Sequence, residues 1–444
     1  MVSSHLFVVI LALCSSVRST TAVISSFVGT LDNDPAARDR HLLPTVNASN
    51  AAATLPRGLE NEDIAICFDL DVPLQWTSEE GELRVNGFPF HLKGISYFGF
   101  ETGTMYPGGL SGKTTVRDVF TLLRAEGFNA LRIPFSAEIA LNPDRILRVQ
   151  DPDLDNLGHM ARLAKFVDVA AKFDLLVMPD MHRLYANGGI DALWYDNRTP
   201  YSRLLEAWTN IMGAIEDKWN FAFIDLKNEP HGQATWGNSN RATDWNKAAE
   251  ELSKALFGRF PQWHGLAFVG GIEWGNAIQG MRNFPIDLGR PDWTRRVVYS
   301  PHVYGPDVYD RPYFNFGFPD NLPGIWESSF GFVESLYGQN AVVIGEWGGK
   351  YGRGPSGRRD KTWADTLAKW VVNRCLEDNF YWCVNPDSSD TGGILEDDWT
   401  TPVKPKLELL RRVQPHPSLL YGTSQGNVVC LSEGKYANPN CRRK

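Results

Sequence analysis

The 444-residue chain lacks several things, and each absence removes a class of function. Apart from one apolar stretch at residues 6–14, too short to cross a bilayer, no segment is long and apolar enough for a transmembrane helix, so no membrane partner is expected. There is no basic patch. Asp and Glu (52) outnumber Lys and Arg (44), the net charge is −8 and the pI is near 5.7. That balance argues against nucleic acid and anionic lipid as partners. No GxGxxG or P-loop follows an early strand pattern, which argues against an open doubly wound sheet. No CxxC pair or His-rich spacing points to a metal, no organic cofactor is implied, and no internal repeat is visible.

What is present is an ordinary globular composition, 43% hydrophobic and 22% charged, with 15 Trp, 14 Tyr and 24 Phe. So many rings suit a large core and also a stacking cleft. Residues 1–22 read as a secretory signal: an apolar segment, then small and polar residues. Residues 23–72 are rich in Ala, Asp, Asn and Pro without periodicity, and read as a pro-segment or flexible lead. Residues 415–444 form a polar C-terminal tail. Secretion implies an oxidising compartment, where disulfides are expected. Of the five cysteines beyond the signal (Cys67, Cys375, Cys383, Cys430, Cys441), Cys430 and Cys441 bracket a short polar loop and are the expected pair. An odd count leaves at least one thiol free or paired elsewhere. Asn47 and Asn197 head glycosylation sequons.

From residue 73 to 414 the pattern is different. A hairpin with an Asn86-Gly87 turn comes first. Eight short apolar runs then follow, at 92–98, 130–134, 175–181, 221–227, 266–271, 297–303, 342–346 and 381–385, separated by helical patterns such as VRDVFTLLRAEGF and SRLLEAWTNIMGAIED. Eight strands alternating with helices predict an α/β fold, a single (β/α)8 TIM barrel behind an N-terminal β-hairpin.

In such a barrel the chemistry sits at the C-terminal ends of the strands. Those ends carry Arg132; Asp180 and His182; Asn228 and Glu229; His302 and Tyr304; Glu346; and Trp382 with Asn385. Any one of them has an ordinary structural explanation, but their convergence on one rim does not. Glu229 and Glu346, on strands four and seven, would face each other across the barrel mouth. Opposed carboxyls beside stacking rings are what cleavage of a glycosidic bond requires: one donates a proton to the leaving oxygen, the other attacks carbon or activates water. Arg132 and Tyr304 would keep Glu346 ionised, while burial and a neighbouring negative charge would push Glu229 up. Asn228 is expected to face a substrate 2-hydroxyl, and Pro230 to hold Glu229 in extended geometry. His182 and His302 could supply two ligands to a metal, yet nothing in the pattern demands an ion.

The runs GFET (99–102), LRIPFS (131–136), DLKNEPHG (225–232), SPHVY (300–304), LPGIW (322–326), IGEWGG (344–349) and NPDSSDTGGILEDDWTT (385–401) together resemble glycoside hydrolase family 5, in its endoglucanase (cellulase) branch. The resemblance spans residues 76–413. It implies an acid/base at Glu229 and a nucleophile at Glu346, supported by Arg132, His182, Asn228, His302, Tyr304 and Trp382. It further implies a retaining, cofactor-free hydrolysis of β-glucan by a secreted monomer. Two departures stand where sugars would stack. The branch tends to carry Asn-Trp where this chain has Ser96-Tyr97, and a second Trp where it has Val384. Trp236, Trp274, Trp326, Trp347 and Trp399 are alternative platforms, Trp326 foremost. Mannan, β-1,3- or mixed-linkage glucan hydrolysis, or silent glucan binding, are the alternatives.

Overall fold

The computed structural model describes residues 65–336, 340–424 and 426–441. The signal segment, residues 23–64 of the lead and Asn47 lie outside the described residues. The eight expected strands are all present: β1 (Lys93–Ser96), β2 (Ala130–Ser136), β3 (Leu176–Arg183), β4 (Phe223–Asp225), β5 (Leu266–Val269), β6 in two pieces (Val297–Tyr299 and His302–Tyr304), β7 (Ile344–Gly348) and β8 (Asn379–Tyr381). They pair in parallel in chain order, and β8 returns to pair with β1. The ring closes through the divided strand. The lower piece of β6 pairs with β5 and meets the run before β7, where Tyr299 N–H donates to Ala341 O and Val343 N–H to Tyr299 O, both at 3.0 Å. The upper piece pairs with β7 itself, placing His302 opposite Glu346. The expected barrel is therefore found.

The strands read as unbroken apolar runs because both faces are covered; every residue of β2 is buried, as is every residue of β5. The helix after β1, Val116–Ala125, shows the complementary logic. Thr115 caps it by accepting from Asp118 N–H, and Val116, Val119, Phe120 and Leu123 form its buried face. β8 ends earlier than the sequence suggests, although Val384 N–H still reaches Ser96 O at 2.9 Å.

The hairpin Glu82–Val85/Phe88–Pro89 turns at Asn86 and Gly87, with φ of 49° and 85°, as a two-residue turn of this type requires. With the strand Trp76–Glu79 it closes the bottom of the barrel, where Trp76 meets Phe90 and Phe223, each with ring centroids 5.0 Å away.

Two expectations about the chain ends need correction. Residues 66–69, assigned to the lead, form a strand that pairs with Val428–Ser432, and Leu419–Gly422 of the tail completes a three-stranded antiparallel sheet. The disulfides are Cys67–Cys430 and Cys375–Cys441, not Cys430–Cys441. Cys430 sits within a strand directly opposite Cys67, so its partner is set by the sheet rather than by loop proximity. Cys383 is the free, buried thiol among the described residues.

Candidate active site

The site is built upward from a charge layer inside the barrel. Arg132, fully buried on β2, donates from Nη1 to Glu346 Oε1 (2.5 Å), from Nε to Asp225 Oδ2 (3.0 Å) and from Nη2 to Asn228 Oδ1 (2.9 Å). Asp180 Oδ2 lies 3.0 Å from the same Nη2 and accepts from His182 Nδ1 at 2.6 Å. One guanidinium thus serves three carboxylates. A guanidinium does this better than an ammonium, because its donors are fixed in a fork and it stays charged when buried.

Glu346 lies above this layer. Tyr304 donates to its Oε2 at 2.6 Å, and His302 Nδ1 stands 3.5 Å from the same oxygen and 3.0 Å from Glu229 Oε1. Ligand atoms of Glu229, His302 and Glu346 all fall within 4.8 Å of one another. By distance alone they could chelate an ion. Arg132, Tyr304 and His302 already engage these carboxylates, however, which makes the group a hydrogen-bonded network.

The two carboxyls share an address but differ in environment. Burial acts to raise Glu346, yet the positive charge of His302 and Arg132 outweighs it and brings the group down to about 2. Burial also raises Glu229; its hydrogen bond with His302 opposes this, and the negative charge of Glu346 adds to it, leaving a net upward shift. Burial pushes Asp180 up to about 7, against the pull of Arg132. The result is two facing carboxyls whose surroundings push them apart, Glu346 toward the ionised form and Glu229 toward the protonated one.

Of the nine expected site residues, eight converge here: Arg132, His182, Asn228, Glu229, His302, Tyr304, Glu346 and Trp382. The Trp382 ring lies nearly parallel to that of His182 (5.4 Å between centroids, 15°) and to that of Phe98 (5.5 Å, 9°). Trp326 does not belong. It is 4% exposed and packs against Trp370 in the layer of outer helices, so neither face is open to a sugar. Trp347 and Trp399 are buried as well, and Trp236 is partly buried with its indole N–H tied to Phe284 O. Trp274 is 46% exposed. It stacks on His231 at 3.5 Å and donates its backbone N–H to Pro230 O, one residue past Glu229. Its hairpin, residues 271–277, is fitted under β6: Gly275 has φ of 76°, accepts from His302 N–H, and would place a Cβ 2.7 Å from the His302 ring.

The departures at Ser96, Tyr97 and Val384 do not line the cleft either. All three are fully buried, and Tyr97 spends its hydroxyl on Gly108 O at 2.7 Å. Glu229 is not extended: its φ is 49°. The restriction imposed by Pro230 is overridden by bonds described below. Sequence reasoning missed Asp225, Lys227 and Phe98. Asp225, Lys227 and Glu229 are charged residues at every second position of an otherwise apolar strand, which was the available signal for a buried charge layer.

A barrel that sets two carboxyls of oppositely shifted acidity face to face beside a stacked Trp has the arrangement of a glycoside hydrolase. Residues 83–388 match the cellulase family, glycosyl hydrolase family 5, and the chain belongs to it. Among its relatives are the major extracellular endoglucanase of Xanthomonas campestris pv. campestris (38% identity, over 78% of this chain and 70% of that one) and an endoglucanase of Paenibacillus polymyxa (35%, over 72% and 82%). A solved endocellulase from Pyrococcus horikoshii matches with a TM-score of 0.72 and 36% identity, over 77% of this chain and 99% of that one.

Proposed function

We propose that the chain is a secreted endo-β-1,4-glucanase that cleaves with retention, using Glu346 as nucleophile and Glu229 as acid/base. The observation that carries this reading is a pair of buried carboxyls with oxygens within 4.8 Å of each other, pushed in opposite directions by their surroundings: Glu229 upward by burial, Glu346 downward by His302 and Arg132. That spacing agrees with the retaining gap of about 5–5.5 Å and not with the inverting gap of about 6.5–9.5 Å. In the first half-reaction the Glu346 carboxylate attacks the anomeric carbon while Glu229 gives its proton to the departing oxygen. The C–O bond to the leaving sugar breaks as the ester to Glu346 forms. In the second, Glu229, now ionised, takes a proton from water, whose oxygen displaces Glu346 and restores both groups. Tyr304 and Arg132 hold the nucleophile's two oxygens, and Asn228, fixed by Arg132, is presented to the sugar bound over Trp382.

The choice of β-1,4-glucan rests on the endoglucanase relatives and on a solved relative that holds cellotetraose (35% identity, TM-score 0.71). Trp274 extends the platform on the leaving-group side, next to Glu229. Secretion is supported by the extracellular relative and by the two disulfides. Asn197, exposed on its loop, is the proposed glycan acceptor. The test is reducing-end release and viscosity on carboxymethylcellulose, barley glucan, laminarin and mannan, with Glu346→Gln as control. A rapid viscosity drop on the first two, lost in the variant, is expected. Turnover confined to laminarin or mannan overturns the substrate, and unchanged activity in Glu346→Gln overturns the nucleophile.

A further inference from the structure

Glu229 stands in the left-handed region, where a residue with a side chain is strained and must be held by its surroundings. Three successive carbonyls around it each have a dedicated donor. Asn228 O accepts from Lys227 Nζ at 2.5 Å, Glu229 O is paired with His231 Nδ1 at 2.8 Å, and Pro230 O accepts from Trp274 N–H at 3.2 Å. The first of these is the unusual one. Lys227 is fully buried inside the barrel and no charged partner lies within ion-pair distance among the described residues, yet its ammonium is turned onto the peptide that joins Asn228 to Glu229. An ammonium placed in such a position is costly unless it is bonded, and the bond it makes is to the main chain of the acid rather than to a carboxylate.

We propose that Lys227 is a positioning residue for the general acid: by holding the Asn228 carbonyl it fixes the left-handed turn that aims the Glu229 carboxyl at the departing oxygen. The inference rests on the glutamate assignments made above. It sets Lys227 apart from Arg132, which grips the nucleophile side, so the two buried cations serve opposite halves of the reaction.

The test compares two substrates in Lys227→Met and Lys227→Arg, with thermal midpoints measured alongside. An aryl cellobioside with a strongly acidic phenol needs little protonation of its leaving group, whereas β-glucan needs it fully. General acid catalysis contributes about 10²–10⁴-fold, so a displaced acid should cost Lys227→Met on the order of tenfold or more in kcat/KM on glucan. That quantity is compared for both substrates because it ends at the first covalent step and leaves out the water step that Glu229 serves in common. The aryl cellobioside should change less than about threefold, and Lys227→Arg should recover part of the loss. Equal losses on both substrates, or no loss on glucan, overturn the assignment, because a role confined to folding lowers both together. Failure of Lys227→Met to fold moves the comparison to Lys227→Arg, whose altered donor position should give a smaller loss that again falls on glucan and spares the aryl cellobioside, and equal losses there overturn it too. Wild-type protein that hydrolyses neither substrate overturns the underlying reading of the site instead.

Discussion

Removing one oxygen atom should move the acid limb of the pH profile. Tyr304→Phe keeps the ring and deletes the hydroxyl that donates to Glu346 Oε2 at 2.6 Å. A hydrogen bond to a charged group contributes about 1.5–3 kcal/mol. At 1.36 kcal/mol per pK unit that is roughly 1–2 units. The Glu346 carboxyl, held down at about 2 in the intact site, would then titrate near ~3–4. The free enzyme's essential groups appear in kcat/KM, so kcat/KM on a soluble aryl cellobioside is the quantity to follow between pH 2.5 and 7. Wild-type protein should hold its activity down to the lowest pH at which the fold survives. The variant should bend downward about 1–2 units sooner, with its alkaline limb, set by Glu229, unmoved. An acid limb in the same place would refute the claim that Tyr304 holds the ionised form. A matching shift of both limbs would mean that the substitution disturbed the coupled pair as a whole.

Trp274→Ala should raise KM for cellopentaose by about 2–10-fold, the equivalent of a stacking contact of about 0.5–1.5 kcal/mol. It should leave an aryl cellobioside unaffected, since that substrate has no sugar past the cleaved bond; equal effects on both would remove Trp274 from the leaving-group side. Stability should favour acid. Burial raises Asp378 to about 8 and Glu101, Asp180 and Glu377 to about 7 in the folded chain, from values near 4. Their contribution is therefore complete below pH 4 and is lost as pH climbs through 6–8, while that of Glu346, shifted the other way, is lost only toward pH 2. The thermal midpoint should fall from pH 5 to pH 8, and a rise would contradict the sign. Cys67→Ser opens a cross-link spanning 363 residues and should cost on the order of 2–5 kcal/mol, read as a lower denaturation midpoint with glucan turnover unchanged at 25 °C.

The barrel is legible in the sequence because strands covered on both faces must be apolar throughout, which marks each of the eight runs however short. The rim residues are legible for a related reason: a polar side chain such as Asn228 or Glu346 ending an apolar run has few places to go except the mouth. What could not be read depends on neighbours remote in the chain. The sheet joining residues 66–69 to 428–432 has no local periodicity, and the pairing of Cys67 with Cys430 follows from it. Whether an indole is floor or filler is likewise decided by what packs against it. Trp326 meets Trp370 and disappears, whereas Trp274 sits on His231 with its outer part in solvent. The left-handed turn at Glu229 escaped for the same reason, since its three carbonyl donors come from Lys227, His231 and Trp274 and no dipeptide rule contains them.

The division of β6 at Ser300 and Pro301 has a consequence for how such an enzyme can change. The lower piece completes the hoop with Ala341 and Val343, and that hoop together with the hairpin beneath it secures the fold. The upper piece is fastened separately, to β7 on one side and to Gly275 on the other. His302, Tyr304 and the Trp274 hairpin thus form a cartridge seated on the hoop rather than woven through it. Substitutions at residues 272–274 can re-aim the leaving-group side with the staves below and the catalytic network untouched, so altered product length should be obtainable from this chain without a matching loss of stability.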